Sequence, residues 1–300
     1  MTVKKLTIDA DNNGRRIDNF LISIYKNIPK SKIYNIIRKG EVRVNSSRIK
    51  PHHKLCSGDL VRIPPNLTAV KKLKKIIKDK DIANHTNNLL YEDSDYLVLN
   101  KKAGISVHGG TKNLVGLIDI VREKFGANID LCHRLDKDTT GCIVFGKNKK
   151  AVKHFNESIK NHDVAKTYYA ILKGTFTNEI ILDTPVYKTD PVKSKDSTSK
   201  FKPIKKLNNS MLVEVQIYTG RTHQIRIHSS SIGHPIIFDN KYGDIEFNKS
   251  INTKASKNIA LHSKSIIYKD INSKFIRISS DLPDEFECLC LLYTSPSPRD

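Results

Sequence analysis

No run in this sequence approaches the ~18 consecutive apolar residues that a membrane span requires, so no membrane partner is expected. Cysteine is scarce as well. The five present, Cys56, Cys132, Cys142, Cys288 and Cys290, form no C-x-x-C pair and no zinc spacing, which predicts free thiols in a reducing compartment and argues against a structural metal. The opening MTVKKLTIDADNNG lacks an apolar core and contains acids, so no secretory or transit peptide is read there and the cytoplasm is the expected location. Acidic residues are also in deficit: 31 Asp and Glu stand against 52 Lys and Arg, a formal charge of +21. So basic a chain is steered towards polyanions, with nucleic acid the favoured partner and a merely soluble, lysine-rich protein the plain alternative.

With 300 residues and 38% hydrophobic content the chain has room for about two domains of ordinary core, at roughly 100–200 residues each. Near the N-terminus Ile17, Phe20, Leu21 and Ile24 recur at helical spacing, and Ile33, Ile36 and Ile37 do so again after Pro29. Gly40 is placed to end the second helix; Val42 and Val44 then alternate with charged residues as in a half-buried strand, and Leu60, Val61 and Ile63 form another before Pro64. If the helices pack through their isoleucines, the basic residues must lie outside, where they can meet phosphates. Arg16, Lys32, Arg38, Lys39 and Arg43 are the expected RNA contacts. The lysine-rich stretch after this module and the polar Asn84 to Asn88 read as a linker.

Downstream, Leu89 to Asn100 reads as a strand pair around an acidic turn, 149–161 as a helix, Lys166 to Lys173 as a strand, and Met211 to Ile217 as another. Tyr168 and Tyr169 should then face opposite sides. A helix starting near Arg221 would align His223 with Arg226 and end by Gly233 and Pro235. Such helices among mostly antiparallel strands predict an α+β sheet domain with a cleft. Two motifs stand out for chemistry. LCHRLDKDTTG at 131–141 sets a carboxylate, Asp136, among basic residues ahead of an apolar strand. GRTHQIRIH at 220–228 gathers two arginines and two histidines. One acid and one distant basic cluster point to an ion pair at a functional site. The glycine-rich KKAGISVHGG at 101–110 allows close backbone approach to a ligand, yet lacks the order of a Walker loop.

These two motifs, with AKTYYAILKG at 165–174, GHPIIFDNKYGD at 233–244 and LHS at 261–263, resemble the pseudouridine synthases, in the branch that modifies large-subunit ribosomal RNA. The motifs occur in the family's order, and the likeness runs from about Gly14 to about Phe286. The N-terminal module resembles the S4 RNA-binding domain. The resemblance implies an S4 domain at 14–66, a linker at 67–88 and a mixed, mainly antiparallel β-sheet catalytic domain at 89–289. It also implies isomerisation of uridine to pseudouridine in 23S rRNA, with RNA as the partner and no protein partner required, so a monomer is expected. That isomerisation breaks an N-glycosidic bond, turns the uracil and forms a carbon–carbon bond to the same sugar without redox change, so no cofactor is demanded. By residue match the catalytic aspartate is Asp136, the aromatic residue at the base is Tyr168, and the guanidinium paired with the aspartate is Arg226. His133, Arg134, Arg221, His223 and Gln224 are expected at the RNA, with Arg134 wedged into the space left by an extruded base. The family usually has proline where Lys102 stands, a departure confined to a loop.

Other readings fit less of the chain. Asp136-Lys-Asp138-Thr-Thr140 matches a phosphatase D-x-D-x-T start, but no apolar strand precedes it. The same segment opens like an EF-hand, yet Lys147 stands where the closing glutamate belongs. A Cys132–His133 nucleophile has no support beyond adjacency. A non-catalytic RNA-binding protein built on the S4 module would have no need for Asp136, Tyr168 and Arg226 together. The end of the chain, 290–300, fits neither the composition nor the periodicity of the rest; it resembles translated adapter DNA and is expected to pack poorly.

Overall fold

In a computed structural model describing residues 3–25, 28–65, 77–109, 115–186, 196–251 and 258–292, the chain divides into two units, 1–75 and 76–300. The first contains β1 (Lys4–Thr7), α1 (Ile17–Ile24), α2 (Lys30–Arg38), β2 (Arg43–Val44), β3 (Ser47–Arg48) and β4 (Leu60–Ile63), its strands ordered β1-β4-β2-β3. The apolar residues at helical spacing turn inward as their periodicity requires: Ile17, Leu21, Ile33 and Ile37 are fully buried against Val61 and Ile63. β1 lies ahead of the expected boundary at residue 14. Its four residues, KKLT, carry no readable alternation, and it is antiparallel pairing with β4 that makes them a strand.

The second unit opens with α3 (Asp79–Thr86), inside the stretch expected to be linker. Asp79 and Asp81 in its first turn complement the helix dipole, and Thr86 is buried, so this part of the linker reading is corrected to ordered helix. Residues 67–76 of that stretch lie outside the described residues. There follow β5 (Leu89–Glu92), β6 (Tyr96–Lys101), α4 (Leu117–Phe125), β7 (Asp130–Leu131), β8 (Thr140–Gly146), α5 (Lys149–Lys160), β9 (Ala165–Lys173), β10 (Ile180–Asp183), β11 (Thr198–Leu207), β12 (Ser210–Ile217), α6 (Gln224–Ser231), α7 (Ile245–Ser250), β13 (Leu261–Lys269), β14 (Phe275–Ser279) and α8 (Asp284–Leu292).

One mixed sheet organises this unit, in the order β10-β11-β12-β9-β13-β8-β6-β5, with β14 beside β13 and β7 beside β8. β13 and β8 run parallel; the other pairs are antiparallel. β6 and β8 are nearly continuous apolar runs because both sheet faces are covered. Leu97, Leu99, Ile143 and Phe145 face one core with α4 and α8, whereas Tyr96, Val98, Cys142 and Val144 face another with Phe155 of α5. Ser263 of β13 is opposite Gly141 on one side and Tyr168 on the other. At ~4.8 Å per strand, this register sets the start of β8 about 10 Å from Tyr168. Gly141, at φ +103, is required there: a Cβ would stand 2.2 Å from the Ser263 carbonyl oxygen. At the other end of the chain α8 includes Cys290, which packs against the core beside Leu289, so packing continues into the segment expected to be loose; residues 293–300 lie outside the described residues.

Candidate active site

The loop between β7 and β8 is pinned from within. Leu135 and Thr139 are buried, and Lys101 at the end of β6 donates from Nζ to the carbonyls of Lys102 (3.0 Å), Lys137 (2.7 Å) and Thr139 (2.8 Å). Three acceptors saturate the three N–H groups of an ammonium. Burial draws the Lys101 pKa down to about 7, against the charges of Asp138 and Asp136. The tether fixes the backbone on the C-terminal side of Asp136 and leaves its side chain 22% exposed at a cleft.

Arg226, on the first turns of α6, meets Asp136 through Nη1–Oδ2 at 3.1 Å. Its stronger partner is Asp239: Nε and Nη2 each donate at 2.8 Å to the two oxygens of that carboxylate, which is 1% exposed. Asp239 also accepts the backbone N–H groups of Lys241 (2.8 Å) and Tyr242 (3.1 Å). Burial alone would raise its pKa, but these hydrogen bonds and the charge of Arg226 bring it below the usual carboxylate range. Burial works against the charged guanidinium too, yet Asp239 first and Asp136 second raise its pKa further, so Arg226 remains a cation. The Arg226 guanidinium also lies 5.3 Å from the Tyr242 ring centroid. Two left-handed residues flank the pair, His223 (φ 58) before α6 and Phe238 (φ 59) before Asp239, each at a backbone cost of about 1–2 kcal/mol.

Asp136, Arg134, Leu135, His223 and Arg226 line two adjoining cavities. One, of about 550 Å³, extends past His108, Lys137, Asp138, Asn240 and Lys241. The other, of about 70 Å³, reaches Tyr168, Thr139, Ile217, Gly220 and Arg221. Tyr168 is 5% exposed. Burial pushes its phenol well above the usual pKa and Asp136 acts in the same direction against Ser263, so the hydroxyl stays protonated. A carboxylate oriented by a guanidinium, beside an aromatic ring in a shielded pocket, can act on an electron-poor carbon while the ring supports a flat base.

The expected residues separate on inspection. Asp136, Tyr168, Arg226, Arg134, Arg221 and His223 converge on the cavities. His223 is not on the helix that was expected to carry it: α6 begins at Gln224, and a left-handed turn brings His223 Nε2 to 3.7 Å from Asp136 Oδ2 while Nδ1 meets Tyr242 Oη at 3.1 Å. Burial lowers the His223 pKa despite the opposing charge of Asp136. Gln224 has no amide group to spare for RNA. It accepts from Thr219 Oγ1 (2.7 Å) and the Arg221 N–H (3.0 Å) and donates to the Thr198 carbonyl (3.0 Å) and Ser199 Oγ (2.9 Å). His133 is outside both cavities; its ring stacks on Phe155 and accepts the Val144 N–H at 3.0 Å, and burial takes its pKa to about 3. Both readings as RNA contacts are corrected to structural ones.

In the first unit Arg38 and Lys39 are exposed and Lys32 is half-buried. Arg16 instead grips Asp18, fully buried, at 3.1 and 2.6 Å. Arg43 is exposed, with Nε and Nη1 turned to the carbonyls of Gly40 (3.4 Å) and Ser46 (3.3 Å). Sequence reasoning missed Asp239 and Lys101. Each is a charge ending an apolar run, PIIFD and YLVLNK, and that is the signal each offered.

The sequence model described as RNA pseudouridylate synthase matches residues 95–231, and that of the S4 domain matches 15–61. The chain belongs to the RNA pseudouridylate synthase family and carries an S4 domain ahead of the catalytic unit. Among its relatives are proteins named ribosomal large subunit pseudouridine synthase C. That of Haemophilus influenzae is 37% identical over 303 residues, covering 96% of this chain and 94% of its own; that of Salmonella typhi is 38% identical over 281 residues, covering 88% of each. The structure titled human RNA Pseudouridylate Synthase Domain Containing 4 shares the fold, at a TM-score of 0.59 with 24% identity, over 73% of this chain and 97% of its own. Among the described residues no helix is long and apolar enough to cross a membrane, and no cluster of His, Cys, Asp or Glu could hold a metal ion.

Proposed function

We propose that the chain converts specific uridines of large-subunit ribosomal RNA to pseudouridine, with Asp136 as the acting carboxylate. The observation that carries this reading is the convergence of Asp136, Arg226 and Tyr168 from three separate segments on one cleft, with the acid bonded to the guanidinium at 3.1 Å. In the reaction the N1–C1′ bond breaks, a C5–C1′ bond forms, C5 loses its proton and N1 gains one; no electrons are exchanged. Asp136 stabilises or captures the electron-poor partner and later leaves, Arg226 holds its carboxylate in place, and Tyr168 stacks on the uracil. Arg134 is exposed at the rim shared by both cavities, where it can fill the gap left by an extruded nucleotide. The relatives named as large-subunit enzymes and the +21 charge support rRNA as the substrate, and the S4 unit supplies further contacts through Arg38 and Lys39. The chain acts as a monomer in the cytoplasm.

The test is conversion of uridine in unmodified large-subunit rRNA, read by pseudouridine mapping. The purified protein should produce pseudouridine at discrete positions. Asp136→Asn should abolish conversion while changing RNA affinity less than threefold, and conversion at the wild-type rate by that variant would remove Asp136 from the mechanism.

A further inference from the structure

Lys166 is on β9 two residues before Tyr168, so the two side chains leave the strand on one face, about 7 Å apart. Both are buried, at 6% and 5% exposure. A lysine so buried ordinarily has a carboxylate or several carbonyls around its ammonium, as Lys101 has. Among the described residues the Lys166 ammonium has no hydrogen-bond or carboxylate partner, and the one charge acting on it is that of Arg221. Nor is it sealed in: Nζ still meets solvent at the end of its buried stem. It stands 3.4 Å from where a Cβ on Gly220 would be, and Gly220 and Arg221 both line the Tyr168 cavity. Arg221, exposed, spends only Nε, on the Asp196 carbonyl at 3.2 Å, and is close enough for its charge to add to burial in lowering the Lys166 pKa to about 8. Two cations are therefore held near one another, one at the expense of burial, with no carboxylate of the described residues paired to either.

We propose that Lys166 and Arg221 form a phosphate site at the lip of the Tyr168 cavity, holding one phosphodiester of the RNA strand that carries the target uridine. The inference rests on the reading of RNA as substrate. An extruded nucleotide brings its own phosphates to the mouth of the pocket that takes its base, and an ammonium beside a guanidinium offers those oxygens donors of two geometries.

The test uses Lys166→Met, which keeps the stem and removes the charge, and an unmodified hairpin from large-subunit rRNA containing a uridine that the wild-type protein converts. The variant should melt at the same temperature as wild type or higher, because an unpaired buried charge has gone. It should bind the hairpin at least about tenfold more weakly. Its plot of log affinity against log KCl should be shallower by about 0.7–0.9, the share of one phosphate. Arg221→Gln, at an exposed position, should give the same change of slope, and the double variant no more than either alone. Wild-type affinity and slope in Lys166→Met overturn the proposal, and so does a doubled slope change in the double variant. If Lys166→Met does not fold, hairpins with single methylphosphonate linkages decide: one neutral linkage must weaken wild type about tenfold and leave Arg221→Gln unaffected, and no such linkage means no such site. Failure of the wild-type protein to convert any uridine sinks the RNA reading and this site with it, whereas conversion by wild type beside an indifferent Lys166→Met sinks the site alone.

Discussion

Replacing Asp239 by Asn keeps the shape of the side chain and removes the charge from the most heavily bonded carboxylate in the cleft. Its oxygens accept two hydrogen bonds from Arg226 at 2.8 Å and two from the backbone at 2.8 and 3.1 Å, at 1% exposure. An asparagine turns an amide N–H₂ towards a guanidinium that has only donors to offer. Removing one partner of a buried pair costs about 3–5 kcal/mol, a large part of the about 5–15 kcal/mol that holds a domain folded. Asp136→Asn is the internal comparison. That side chain is 22% exposed and gives up one bond at 3.1 Å while Asp239 still holds Arg226, so the expected cost is about 1–2 kcal/mol.

Urea titration of wild type and both variants, followed by far-ultraviolet circular dichroism, measures the two losses. The pH dependence carries a sign of its own. The folded-state pKa of Asp239 lies below its unfolded value of about 3.9, so its stabilisation is fully present above about pH 4 and is lost as pH falls through the folded value. The gap between wild type and Asp239→Asn should hence be flat near neutrality and close in acid. If Asp239→Asn came within about 1 kcal/mol of wild type while Asp136→Asn cost more, the division of Arg226 between its two acids would be wrong.

Lys101→Met leaves the carbonyls of Lys102, Lys137 and Thr139 without their donor, so kcat should fall at least about tenfold while hairpin affinity and its salt dependence stay unchanged. Because the folded pKa of Lys101 is about 7 and the unfolded one 10.5, the unfolded chain binds more protons between those values; wild type should gain stability relative to Lys101→Met as pH rises from 7 to 10. Gly141→Ala forces a Cβ to within 2.2 Å of the Ser263 carbonyl oxygen at φ +103, and should lower the denaturation midpoint by more than the about 1–3 kcal/mol of backbone strain alone. In the first unit, Arg16→Ala should destabilise by leaving Asp18 buried and unpaired, whereas Arg38→Ala should weaken RNA binding with a thermal midpoint within 1–2 °C of wild type, as about 0.5 kcal/mol or less would give.

Much of this was legible because it is local. Ile17, Leu21, Ile33 and Ile37 announce their helices by spacing, and the strands ending at Lys101, Lys173 and Ile217 by alternation or unbroken apolar runs. Asp136, Tyr168 and Arg226 were visible through motifs. What escaped is set by tertiary pairing. β1 is a strand only because β4 lies beside it, and α3 a helix amid polar residues that suggested a linker. His223 leaves the helical path because its backbone turns left-handed, for which a histidine gives no warning. His133 and Gln224 are polar residues in the expected motifs, but their partners, Phe155, Val144, Thr198 and Ser199, come from strands and helices up to 26 residues away, and nothing in HRLD or RTHQ reveals that their hydrogen bonds are spent.

The same dependence on distant partners explains why the acid is where it is. Asp136 is on a loop, a poor place from which to aim a carboxylate, and loops ordinarily vary by more than catalysis tolerates. Here the loop is fixed at three levels: Lys101 holds its carbonyls from below, Gly141 lets β13 approach its exit, and Arg226 takes the carboxylate from above. Arg226 can do so only because Asp239 holds it bidentately, and β13 spans from Gly141 to Tyr168 through the single residue Ser263. A one-residue slip of β13 would turn its buried face outward and move the loop relative to Tyr168 by a residue's rise, about 3.3 Å, enough to part the acid from the base it must act on. The geometry of the cleft is thus a property of strand register, which explains how a loop carboxylate can be placed as firmly as a residue within the sheet.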